Sequence, residues 1–114
     1  MLSFPSTVKI YLCSEPADMR RSFDSLAMMV KSIIRQNPLS GHIFVFSNRR
    51  SDRLKLLYWD RDGFAIWYKR LEKGIFSLPK SDESNLIDHR QLSMMLEGID
   101  ISYVRLKRRF QLKI

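Results

Sequence analysis

Apolar positions in this 114-residue chain follow two rhythms, and the change from one to the other marks out its elements. Over 8–12 the run Val-Lys-Ile-Tyr-Leu is short and rich in β-formers, and Pro16 helps to end it, so a strand is predicted there. From Ser22 the spacing lengthens. Phe23, Leu26, Ala27, Val30, Ile33 and Ile34 recur at steps of three and four, which gathers them on one face of a helix. Ser22 or Asp24 can cap its start, and Asn37-Pro38 stops it. Ser40-Gly41 then turns the chain into Ile43-Phe44-Val45-Phe46, a run apolar enough for a buried strand. Asn48-Arg49-Arg50-Ser51 reads as the next turn, Leu54 to Trp59 as a strand, and Phe64 to Leu71 as its return. Gly74 breaks that strand, Ile75 to Leu78 is predicted as a further short one, and Ser81 to Asn85 as polar loop. Leu92, Met95, Leu96 and Ile99 give a second, shorter amphipathic helix ending near Gly98.

The elements sum to one α+β domain over 1–114: strand, helix, an antiparallel β-meander of three or four strands, a second helix and a basic end. Within 105–114, Leu106, Phe110 and Leu112 alternate with cations, so this stretch reads either as a last strand or as a basic arm. No repeat and no long linker divides the chain.

The hairpin between the second and third meander strands carries a sharper expectation. Asp60-Arg61-Asp62-Gly63 is a strong turn signal, with Gly63 available for positive φ. A three-residue turn with Gly63 as a bulge would set Trp59 opposite Ala65, Leu57 opposite Trp67 and Lys55 opposite Lys69. One face would then carry Arg53, Lys55, Trp59, Trp67 and Lys69, and the other Leu54, Leu56, Tyr58, Phe64, Ile66 and Tyr68. The first face admits two readings. Cations interleaved with tryptophans suit a nucleic acid, the cations meeting phosphates and the rings stacking on bases. Alternatively a helix covers the tryptophans, with lysine stems lying along them.

Charge adds a direction. Twenty Lys+Arg against twelve Asp+Glu leave a formal net charge of +8, which points to an anionic partner. The charge is polarised along the chain. Arg49 to Lys73 holds eight basic residues against four acidic ones, and the stretch from Asp100 onward holds five against one. Between Lys80 and Gly98 acids outnumber bases four to two. Arg20 and Arg21 stand at the entrance of the first helix, whose free N–H groups already favour an anion.

The remaining composition removes several classes. No apolar run approaches the ~20 residues that span a bilayer, so no membrane association is expected. Met1 to Cys13 lacks the pattern of a secretory signal. With Cys13 as the one cysteine and His42 and His89 as the two histidines, an intramolecular disulfide is ruled out and a Cys/His zinc site lacks a fourth ligand. A reducing, cytoplasmic location follows from that cysteine usage. Catalytic signatures are equally thin. Gly41, Gly63, Gly74 and Gly98 form no phosphate loop, Cys13 has no histidine near it, and His42 and His89 each begin an element as a surface or capping residue would. Asp18 and Asp24 flank the first helix, and Asp60 and Asp62 flank a turn, where aspartates routinely bond their own backbone. No third acid stands beside them to hold the metal pair that DNA-cutting chemistry uses. No enzyme activity, cofactor or metal is expected.

Taken together the motifs resemble a family. Pro16-Ala17-Asp18-Met19-Arg20-Arg21-Ser22-Phe23-Asp24-Ser25-Leu26 looks like its opening signature, followed in order by Gly41 to Phe46, Asn48-Arg49-Arg50, Asp52 to Lys55 and Trp59-Asp60. Gly63, the specific run Trp67-Tyr68-Lys69-Arg70-Leu71-Glu72-Lys73-Gly74, then Phe76 and Pro79, and finally Leu92 with Met95 to Asp100 complete it. The chain is similar to the TnpB-type accessory proteins encoded by the second reading frame of bacterial insertion-sequence family sixty-six, a name shared with an unrelated RNA-guided nuclease. Two departures stand out: Ser22 replaces a usual glycine, and Leu78 before Pro79 replaces a common aromatic.

The resemblance implies a non-catalytic role in transposition beside a separate transposase that carries the catalytic acids. Two ways of filling that role are open. In one the protein binds DNA, with Arg20, Arg21, Arg49, Arg50, Arg53, Lys55, Lys69 and Arg70 on phosphates and Trp59 and Trp67 on bases. In the other it is an interaction module that docks on the transposase, with Trp59 and Trp67 as interface anchors or a free strand edge pairing with the partner. Oligomeric state is not written in these patterns.

Overall fold

A computed structural model of the chain describes residues 4–80 and 83–97. Its elements run β1 (Ile10–Leu12), α1 (Phe23–Met29) continuing into a π-helical turn (Val30–Ile34), β2 (Ile43–Ser47), β3 (Arg53–Asp60), β4 (Gly63–Arg70), β5 (Leu86–Ile87) and α2 (His89–Leu96). The five strands form one sheet in the order β4-β3-β2-β1-β5. β1 and β2 are parallel, and the helical segment between them supplies the crossover that parallel neighbours need; every other pair is antiparallel. The expected single α+β domain with two helices is what forms.

Alternation along the strands splits the core in two. Ile10, Leu12, Ile43, Val45, Leu54 and Leu56 face one way, and α2 covers them with Leu92, Met95 and Leu96. Tyr11, Cys13, Phe44, Phe46 and Leu57 face the other way, beneath Leu26, Met29, Val30 and Ile34 of α1 and its π turn. A helix on each face explains why β1 and β2 read as unbroken apolar runs. Phe44 and Phe46 are fully buried, and each such side chain contributes about 1.5–3 kcal/mol by leaving water.

Caps fix the helix ends. The Ser22 N–H donates to Ser25 Oγ at 3.2 Å, and Asp24 in the first turn of α1 complements the helix dipole. In the π turn, Ser32 Oγ donates to the Met28 carbonyl at 2.9 Å. Arg35 then enters the left-handed region at φ 59° and ends the helix two residues before Asn37-Pro38. At α2, Asp88 Oδ1 accepts from the Gln91 N–H at 2.6 Å, and Gln91 Oε1 accepts from the Asp88 N–H at 2.9 Å, a reciprocal capping box. Gly98, the expected end of α2, and the stretch 105–114 lie outside the described residues.

Three sequence expectations are corrected. Ile75 to Leu78 is not a strand: the chain crosses the α2 face there, burying Phe76 and donating its N–H to the Ser51 carbonyl at 2.7 Å. The strand beyond β1 is Leu86–Ile87 instead, only two residues long, with Ile87 opposite Ile10. The meander is antiparallel as expected, but its hairpin closes on the two residues Arg61 and Asp62, with Asp60 opposite Gly63. Arg61, not Gly63, takes the positive φ of 54°. That shifts β4 by one residue against β3, and in a strand one residue is one face.

Candidate nucleic-acid interface

The new register separates the residues expected to share a surface. Trp59 stands opposite Phe64, and Trp67 stands opposite Leu56. Trp67 therefore joins Leu54, Leu56 and Tyr58 under α2, while Trp59 lies on the α1 face, edge-on to the Phe64 ring at 5.1 Å. Both tryptophans are partly buried. The mixed basic and tryptophan face expected from the sequence does not form.

Two lysines expected to meet phosphates are occupied within the fold. Lys55 is 8% exposed. Its Nζ donates to the carbonyls of Met19 and Arg21, each at 2.7 Å, and lies 4.8 Å from the centre of the Tyr68 ring. A buried ammonium is costly unless its N–H groups are satisfied, and here they are. Lys55 thus pins the segment that carries Arg20 and Arg21. Lys69 Nζ donates to the Leu96 carbonyl at 2.9 Å, a cation at the negative end of α2. Arg70 lies on the surface with its guanidinium on Glu72 at 2.9 Å.

What the fold does bring together is the arginines. β1 and β2 run side by side and in the same direction, so the loops after them leave the sheet at one end. The Ala17 N–H donates to the Ser47 carbonyl at 2.8 Å and the Cys13 N–H to the Val45 carbonyl at 2.9 Å, zipping one loop to the other strand. Between them opens a cleft of about 590 Å³ lined by Pro16 to Arg20 on one side and by Asn48, Arg49, Arg50, Asp52 and Arg53 on the other. Four arginines and two aspartates line it, a surplus of two positive charges. Arg21 is exposed immediately beside it.

Asn48 builds the second wall. Its Oδ1 accepts from the N–H groups of Asp52 and Arg53 at 3.1 and 3.0 Å, and its Nδ2 donates to Asp52 Oδ1 at 2.5 Å. Ser51 closes the turn at φ 59° and donates its N–H to the Asn48 carbonyl at 3.1 Å. Arg49 and Arg50 are left exposed at the tip of a fixed loop. The Asn48 amide holds the Asp52 carboxyl below its usual range, with the charges of Arg50 and Arg53 adding to the effect. On the first wall, Asp18 accepts from Arg20 Nη2 at 2.6 Å, from Arg20 Nε, and from its backbone N–H at 2.8 Å. These bonds bring the Asp18 carboxyl down to about 2. Arg53 Nη1 donates to the Tyr68 hydroxyl at 3.3 Å, which ties its guanidinium to β4.

Asn48, Asp18 and Asp52 are not among the expected site residues, and Lys55, expected on a phosphate, turns inward instead, although two signals are present. An Asn followed four residues later by Asp marks a side-chain-stabilised turn, and a Lys between two leucines in a central strand has to find partners inside. The other chemistry-bearing residues hold structure. His42 Nδ1 accepts from the Lys9 N–H at 3.0 Å, and His89 Nε2 lies 2.7 Å from the Val8 carbonyl, so the two rings bracket the approach to β1. Burial pushes the Cys13 thiol up. Among the described residues no group of three or more His, Cys, Asp or Glu could hold a metal ion, and no helix is long and apolar enough to cross a membrane.

The fold and cleft define a small basic α+β protein with a preformed, arginine-lined surface. Residues 8–106 match the family described as IS66 Orf2 like protein, and the chain belongs to that family. It is 37% identical over 101 residues to uncharacterized protein y4hO of Sinorhizobium fredii (strain NGR234), covering 88% of each chain. It is also 34% identical over 103 residues to uncharacterized protein y4jC of the same organism, covering 90% of this chain and 86% of that one. No solved structure matches. Membership ties the chain to insertion-sequence transposition, in an accessory family rather than a known catalytic one.

Proposed function

We propose that this protein is a non-catalytic accessory factor of transposition, acting in the cytoplasm, that binds DNA by its phosphate backbone at the arginine cleft, beside the element's separate transposase. Arg49 and Arg50 at the loop tip, Arg20 and Arg21 at the entrance of α1, and Arg53 on the rim make the contacts. The observation that carries this reading is convergence. Two loops far apart in sequence are clipped together at the ends of parallel strands, and both contribute arginines to the lining of one cleft. Arginine suits the task because its planar fork matches two phosphate oxygens at once. Backbone contacts position a protein on a duplex without reading its sequence, so affinity for unrelated duplexes is part of the reading.

Fluorescence anisotropy against a generic duplex at several salt concentrations tests it. Log affinity falls against log salt with a slope of about 0.9 per phosphate neutralised. Arg49→Ala with Arg50→Ala should flatten that slope by about 2 and weaken binding at low salt. An unchanged slope in the double variant, or no binding at low salt by the parent chain, overturns the reading.

A further inference from the structure

We propose that β4 is a self-pairing strand: two copies of this chain join edge to edge, antiparallel about a two-fold axis at Ile66, into one continuous sheet. The proposal is independent of the nucleic-acid reading. β4 is eight residues long and, among the described residues, forms one edge of the sheet. The two-residue turn makes Asp60–Gly63 the closing hydrogen-bonded pair. The Leu71 N–H on the Asp52 carbonyl, at 2.8 Å, continues the same ladder. Every second residue from Gly63 therefore bonds inward to β3, and Phe64, Ile66, Tyr68 and Arg70 point their N–H and C=O groups outward. Among the described residues no hydrogen bond reaches those outward groups. An exposed row of this length is a template for another strand.

The strand's own chemistry identifies the partner as a second copy. Its turn end carries Asp60 and Asp62 with Arg61, a net charge of −1, and its other end Lys69, Arg70 and Lys73 with Glu72, a net charge of +2, so antiparallel self-pairing brings opposite net charge together at both ends. About an axis at Ile66, Asp62 faces Arg70 of the other copy, whose guanidinium also holds Glu72 of its own chain, and Phe64 faces Tyr68, an aromatic cross-strand pair. On the opposite face small residues receive large ones: Ala65 faces Trp67, and Gly63 faces the Lys69 stem. Apolar surface continues from the edge. Tyr68 is 45% exposed and Met28 60%, and Met28 lines a groove with Phe64 and Leu39 beside the strand. The arrangement is isologous, each patch meeting itself.

Sedimentation velocity of the full chain, followed across concentration, should show a reversible dimer. Asp62→Arg and Arg70→Glu each set like charges against one another at two symmetric places and should weaken the dimer about tenfold. The double reversal Asp62→Arg with Arg70→Glu should restore it, while circular dichroism shows the three variants folded. Hydrogen exchange at the amides of Phe64, Ile66 and Tyr68 should slow as concentration rises. A monomer at every concentration, a dimer indifferent to both single reversals, a double reversal that restores nothing, or protection independent of concentration would each overturn the proposal.

Discussion

Lys55 lies between Leu54 and Leu56 on a central strand, and its buried ammonium is tolerable only because the carbonyls of Met19 and Arg21 accept from it. Replacing Lys55 with Met keeps the stem but leaves both acceptors without a donor, so stability should fall by about 2 kcal/mol in chemical denaturation. DNA affinity should fall with it although no exposed charge is lost, because the segment bearing Arg20 and Arg21 is unpinned. Asp18 makes a separate prediction. Its carboxyl is held near 2, against 3.8 for the free group, first by the Arg20 side chain. A folded value below the unfolded one means the pair's contribution is complete above about 4. It then declines as pH falls toward 2, where the folded carboxyl also takes its proton. A carbon-detected titration of Asp18 should give a midpoint about two units lower than an unpaired aspartate; a midpoint at the ordinary value contradicts the pair.

The hairpin of β3 and β4 decides which side chains share a surface, and here sequence and structure part. Asp-Gly is the common signal for a tight turn, and it suggests Gly63 as the residue with positive φ. The shorter turn puts that burden on Arg61, where a side chain costs on the order of 1 kcal/mol. Two substitutions separate the alternatives in thermal denaturation. Gly63→Ala should be neutral or mildly stabilising, because its φ is not positive and an added Cβ meets nothing within 4 Å. Arg61→Gly should stabilise by about 0.5 kcal/mol after the entropy glycine adds to the unfolded chain. Under the three-residue turn, Gly63→Ala would instead destabilise. Elements with long, regular patterns were legible: α1 from its three-and-four spacing and Ser22, and β2 to β4 from their runs and turns. β5 was not, because two residues carry no period. Nor was Lys55, since strand alternation says which face a residue is on, not whether that face is covered.

Across the whole molecule, the parallel pairing of β1 and β2 matters most for the proposed function, because it sets the loop of Arg20 beside the loop of Arg49 and Arg50. A meander read only from sequence leaves those loops unrelated, and arginines scattered along a chain look like general basicity. Folding turns them into a cleft walled by hydrogen-bonded loops, so in the proposed function part of the ordering cost of binding is met in advance. The same geometry moves Lys69 and Trp67 to the α2 side, away from the cleft, which makes the interface one-sided. Asn48 is the keystone of the second wall. Asn48→Ala should lower stability by about 1–2 kcal/mol and weaken duplex binding, with every arginine still present.

The most direct measurement of the central claim is a chemical-shift titration of the labelled full chain with a short duplex at low salt. Backbone amides of Ala17 to Arg21 and Asn48 to Arg53, and the guanidinium signals of Arg49 and Arg50, should move together and report one affinity. The indole N–H of Trp67 and the amides of α2 should stay in place. Shifts centred on Trp67 and α2, or no shifts at all, would contradict the assignment of the arginine cleft as the DNA-binding surface.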